Sequence, residues 1–127
     1  MAAIKSAEQW FAEGEGPKHF LIFPQGAIFD INRERADDIE RGAFWLARSL
    51  GIPVLPAFIE QAVEGADNRL VFGKPVSISK ACRNLDEPKQ MWLDRVLEAQ
   101  NELEALTGVP ARAAALDAEH QTRKHKS

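Results

Sequence analysis

The amino-acid sequence predicts an α/β fold, a partial mixed sheet with flanking helices, on three observations. Short, almost wholly apolar runs stand at residues 19–23 and 53–59, and such runs suit strands buried on both faces. Two longer segments carry apolar residues at helical spacing, one between these runs and one near the C-terminus. Glycine and proline punctuate the joints, so helices and strands alternate, as in layered α/β domains.

Residues 4–13 read as the end of a helix, with Ile4, Ala7, Trp10 and Phe11 on one face and Gly14, Gly16 and Pro17 stopping it. The run His19-Phe20-Leu21-Ile22-Phe23 then reads as a buried strand, ended by Pro24-Gln25-Gly26. A helix is expected over 36–50. Ile39, Ala43, Leu46, Ala47 and Leu50 form its stripe, Asp37 and Asp38 favour its positive end, and Gly51 stops it. A second strand follows at 53–59. Pro56 lacks a backbone donor, so that strand must be an edge, bulged or irregular there. Residues 18–59 together predict a strand–helix–strand unit, whose crossover is right-handed if the strands are parallel.

Short strands at 69–72 and 75–79 flank Gly73-Lys74. A long helix over 87–107 has Pro88 in its first turn, Gly108 past its end, and a core face of Trp92, Val96, Ala99, Leu103 and Leu106. The expected organisation is one domain over residues 1–116 and a polar tail over 117–127.

Composition narrows the function classes. Of 127 residues, 45% are hydrophobic and 28% charged, enough apolar content to form a core. The net charge of −3 argues against a nucleic-acid partner, which needs many Lys and Arg contacts to phosphates. The single cysteine, Cys82, excludes an internal disulfide and any multi-cysteine metal site. The N-terminus lacks the basic start and apolar run of a signal peptide, and no stretch reaches the roughly 18 apolar residues of a membrane span. The expected location is cytoplasmic, with any membrane contact peripheral, at the inner face of the cytoplasmic membrane.

The run Leu21-Ile22-Phe23-Pro24-Gln25-Gly26 resembles the Phe-Pro-Glu-Gly block of glycerolipid acyltransferases of the bacterial 1-acylglycerol-phosphate acyltransferase type. Three later runs resemble that family's later blocks in the same order. Arg41-Gly42-Ala43-Phe44 is similar to its basic-Gly-Ala-Phe helix. Gly51-Ile52-Pro53-Val54-Leu55-Pro56 is similar to its Val-Pro-Ile-Val-Pro-Val block, and Val71-Phe72-Gly73-Lys74-Pro75 to its Gly-x-Pro strand. The resemblance covers about residues 5–80 and implies the C-terminal half of the glycerol-phosphate acyltransferase fold.

The family resemblance implies transfer of a fatty acyl group from acyl-CoA or acyl carrier protein, with no bound cofactor or metal. The acceptor is the hydroxyl of a glycerol phosphate or lysophospholipid, deprotonated by a His that an Asp five residues later orients. By the same resemblance Phe23, Pro24, Gln25 and Gly26 line the acceptor pocket, and Pro53 and Pro56 help shape it.

The chain departs from the pattern at three places. Five residues after His19 stands Pro24, five after His120 stands His125, and His125 has nothing that far beyond it. The dyad is absent, no catalytic residue is assigned, and the chain is expected to begin after the dyad's place and to be inactive alone. Gln25 replaces the Glu; an amide still bonds a hydroxyl but without the charge-assisted bond, which is roughly twice as strong as a neutral one. Ile28 stands where the family has an arginine, leaving Arg33, Arg35 and Arg41 to hold the phosphate.

Plainer readings stand beside these. Residues 24–26 also fit an ordinary turn, the three arginines a solvated face, Phe44 and Trp45 core packing, and His19 a structural role. A non-catalytic lipid- or acyl-carrier-binding or assembly module is the alternative function, since a half-domain leaves a sheet edge open to self-association. An unrelated α/β phosphate-binding enzyme ranks last, because neither of the usual glycine-rich phosphate motifs is present.

Overall fold

A computed structural model describes residues 5–6, 9–10, 12–13, 18–26, 30–61 and 63–113. Residues 5–6, 9–10 and 12 are helical, in line with the expected N-terminal helix. Its apolar positions Ile4, Ala7 and Phe11 lie outside the described residues, as do Ala27, Ile28 and Phe29 and the whole of the expected tail. The described part is a small mixed α/β arrangement.

The helix expected over 36–50 forms only in its second half, as α1 (Gly42–Leu50). Ahead of it lie two short 3-10 turns, Ile31–Arg33 and Ala36–Asp38. Asp30 accepts the Asn32 amide at 3.0 Å and Asp38 accepts the Arg35 amide at 3.0 Å, so each acid closes its own turn. Ile39 then adopts extended backbone, φ −86° and ψ 130°, which breaks the helix that its side chain's spacing suggested. Its side chain is nonetheless buried in the core. Gly51, at φ +68°, ends α1 and donates to the Ala47 and Arg48 carbonyls.

The second helix, α2 (Asp86–Thr107), matches expectation to within a residue. Asn84 Oδ1 accepts the Asp86 amide at 2.9 Å. Pro88 sits in the first turn, where its missing N–H would have no intrahelical partner. Trp92, Val96, Ala99 and Leu103 are buried along one face, whereas Leu106 is 76% exposed. Phe44 of α1 is fully buried and meets the Trp92 ring edge-on, with centroids 6.3 Å apart and planes at 81°, a pairing worth about 0.5–1.5 kcal/mol beyond its buried area.

Strands β1 (Ala57–Ile59) and β2 (Leu70–Phe72) form a two-stranded antiparallel sheet, with Ala57 opposite Phe72, Phe58 opposite Val71 and Ile59 opposite Leu70. Phe58 faces the core, while Ile59, Leu70 and Phe72 are exposed. A separate bridge pairs Val54 with Val76. Leu55 and Pro56 therefore lie opposite Gly73, Lys74 and Pro75, one residue out of step. This is the irregularity expected at Pro56, a bulge in which Gly73 N donates to the Pro56 carbonyl at 2.8 Å. Helix α2 packs against both strands and both 3-10 turns.

Three expectations need correction. The run at 75–79 forms no strand and contributes only the Val76 bridge. Residues 19–23 form no strand, and Leu21 and Phe23 are 79% and 64% exposed. An apolar run signals burial only when a partner strand is there to receive it, and none of the described strands pairs with this one. The parallel strand–helix–strand unit over 18–59 is consequently not formed, and the described sheet is antiparallel, not mixed.

Beyond β1, buried Glu60 takes a fork of two bonds from Arg69, at 2.6 and 2.7 Å, and the Arg112 amide at 2.9 Å. Arg69 reaches on to Thr107 Oγ1 and the Pro110 carbonyl, at 2.7 and 3.1 Å. This network fastens the hairpin to the end of α2.

Candidate functional site

The Phe23–Gly26 turn closes on itself, with Gly26 N donating to the Phe23 carbonyl at 3.1 Å. Proline second and glycine fourth suit such a turn, and Gly26 takes a left-handed φ of +72°. The turn is docked on the segment that leads into α1. Glu40 N donates to the Pro24 carbonyl at 2.6 Å, Pro24 is buried, and a Cβ on Gly26 would lie 2.9 Å from Glu40 Oε1. Gln25 is half-buried in this turn, whereas Phe23 is exposed. The two runs at 23–26 and 41–44 thus adjoin through Glu40, next to Arg41 in the chain.

Of the three arginines singled out from sequence, Arg41 lines a concave surface. Arg33 is exposed and lies 3.9 Å from its neighbour Asp30; Arg35 is exposed on the 3-10 turn. These two are better described as a solvated face. Arg41 lines an open groove of about 330 Å³ together with Trp45, Arg48, Arg83, Asn84 and Leu85. None of Phe23, Pro24, Gln25 and Gly26 is among the lining residues. Pro53 is exposed and Pro56 is fully buried in the bulge, so both shape the sheet and neither lines this groove.

The groove follows from local structure. Arg41, Trp45 and Arg48 recur at four- and seven-residue offsets, which puts them on one side of α1. The opposite wall is the 83–85 segment that enters α2. Arg48 joins the two walls, its Nη1 donating to the Cys82 carbonyl at 2.8 Å. The side chains of Arg41 and Arg83 make no hydrogen bond or ion pair with another described residue, and no carboxylate lines the groove. Sequence reasoning missed Arg48 and Arg83. The offset from Arg41 was a usable signal for Arg48; only folding brings Arg83 alongside.

The strongest electrostatic perturbation lies elsewhere. The Arg69 guanidinium hydrogen-bonded to Glu60 outweighs the burial that opposes ionisation and, with the Arg112 and Arg69 amides, holds the Glu60 carboxyl down to about 2. The same bond to Glu60 raises Arg69 above its ordinary value. Every Glu60 contact serves to fasten chain segments together, which marks the cluster as structural.

Among the described residues, no group of His, Cys, Asp and Glu is arranged to hold a metal ion. No helix among them is long and apolar enough to cross a membrane. Comparison with protein-family models, curated proteins and solved structures found nothing that matches this chain.

Proposed function

We propose that this chain carries the acceptor-binding side of a glycerolipid-acyltransferase-like domain and performs no acyl transfer alone. The acceptor is a glycerol phosphate or lysophospholipid, and acyl-CoA or acyl carrier protein is the acyl donor of the complete reaction. The observation that carries the reading is the docking of the Phe-Pro-Gln-Gly turn on Glu40, which sets Gln25 beside the start of the Arg41-Gly-Ala-Phe helix. Two sequence blocks that resemble one family's motifs are thereby neighbours in space. The family's pattern puts the acceptor hydroxyl against this position, where Gln25 can make a neutral hydrogen bond. No His with an Asp five residues on is present to deprotonate it.

The test is calorimetric titration with short-chain lysophosphatidate. Affinity is expected to rise in Gln25→Glu, where the hydroxyl gains a charge-assisted bond, and to fall in Gln25→Ala. Indifference to both substitutions defeats the proposal. So does acyl transfer by the purified chain that Gln25→Ala abolishes.

A second reading, a non-catalytic lipid-binding or assembly module, is favoured by the exposed apolar run at 20–23. Such a patch marks a surface that meets lipid or another chain. It predicts vesicle binding that is weakened by Leu21→Ser and Phe23→Ser and unaffected at Gln25.

A further inference from the structure

We infer that the groove between α1 and the 83–85 segment is a binding site for a phosphomonoester dianion. The inference shares Arg41 with the acyltransferase reading but goes beyond it, because Arg48 and Arg83 have no part in that reading and the Phe23–Gly26 turn does not line the groove.

Three arginines line one small concavity in a chain whose net charge is −3. General basicity does not explain that concentration, and like charges so placed repel one another unless an anion lies between them. The lining side chains are, moreover, all donors where they are polar. Arg41, Arg48 and Arg83 have no acceptor atoms, Trp45 contributes an indole N–H, and Asn84 has its oxygen engaged by the Asp86 amide at 2.9 Å. A groove of donors without a carboxylate is chemically complementary to an anion rich in acceptors.

The site is also partly built in advance. The bond from Arg48 to the Cys82 carbonyl fixes one guanidinium edge and the distance between the walls, which reduces what must be ordered on binding. Three guanidinium charges match a doubly charged phosphomonoester better than a singly charged carboxylate or phosphodiester, and guanidinium planes bind phosphate oxygens two at a time. Trp45 and Leu85 supply apolar wall for the carbon skeleton that an ester carries and inorganic phosphate lacks. At about 330 Å³, the groove is at the small end of the range for small-molecule sites.

The experiment is nitrogen-15 NMR of the intact chain, titrated with glycerol 3-phosphate and with inorganic phosphate. Phosphatidylcholine vesicles containing either phosphatidate or phosphatidylglycerol form two further arms. The site is expected to move the Trp45 indole N–H signal, one of three tryptophan signals, and the Arg83 and Asn84 amides. Losing two charge-assisted contacts in Arg41→Gln/Arg83→Gln should weaken binding by about tenfold or more. Lys74→Gln/Lys80→Gln removes the same charge outside the groove and should leave affinity within about twofold. Binding of glycerol 3-phosphate points to a soluble ester, and binding confined to phosphatidate vesicles points to a lipid headgroup; both uphold the site. The inference is overturned if no probe moves the groove signals. It is equally overturned if the two double variants behave alike, or if phosphatidylglycerol vesicles bind as tightly as phosphatidate vesicles.

Discussion

Lys89, buried on α2, donates from Nζ to the Ile39 carbonyl oxygen at 3.1 Å, joining residues fifty positions apart. The bond accounts for the break in the helix expected from residue 36. The Ile39 carbonyl is turned out of any helical ladder and into the first turn of α2, so α1 begins only at Gly42. Lys89→Met would fill the same space and strand that carbonyl, lowering unfolding free energy by about 1–3 kcal/mol. Asp86, 3.6 Å from the ammonium and half exposed, should matter less, with Asp86→Asn costing under about 1 kcal/mol. Urea unfolding of the two variants decides it; equal losses would assign the anchoring to Asp86 instead.

Gly26 couples a left-handed φ of +72° to close contact with Glu40. Gly26→Ala carries the left-handed penalty of roughly 1–2 kcal/mol, while the Glu40 carboxylate can swing aside. Combining it with Glu40→Ala should leave most of the loss in place. Full recovery in the double variant, measured by thermal unfolding, would show that crowding and not backbone conformation is responsible.

At Gly73 the obstruction is rigid. A Cβ there would lie 2.9 Å from the Arg95 backbone oxygen of α2, so sheet and helix must separate. Gly73→Ala is expected to destabilise by about 1–3 kcal/mol, the range for overpacking. Gly42→Ala, with open space around it, should be neutral or stabilising because alanine favours helix by roughly 1 kcal/mol. The opposite order of stabilities would mean that the strand and α2 do not approach as described.

These elements also show what was readable before folding. The long helix was legible to within a residue because its stripe, its acidic first turn, Pro88 and Gly108 all agree. The irregular Pro56 strand was legible because proline cannot donate. The 19–23 run misleads because a local apolar pattern says nothing about which partner covers it. In the groove, Arg41 was found through the resemblance and Arg48 lay within reach of helical spacing. Arg83 arrives from another part of the chain, and Arg33 and Arg35 look no different from it in sequence.

Acid should unfasten the hairpin. The folded Glu60 carboxyl titrates at about 2, below its ordinary 4.5. Its stabilising contribution is complete above about pH 4.5 and is lost as pH falls through about 2, because the unfolded chain takes up the proton first. Glu60→Gln should unfold several degrees lower than the parent at neutral pH, and the gap should close toward about pH 2. A gap that stays constant with pH would mean that Glu60 contributes through shape and neutral bonds alone.

The claim that the docked turn contacts an acceptor is tested most directly by the Gln25 and Gly26 amide signals during titration with short-chain lysophosphatidate. The account predicts that both move saturably, and that Gln25→Ala weakens the response of Gly26. Signals that stay still at saturating ligand, whatever happens at Trp45, would contradict it.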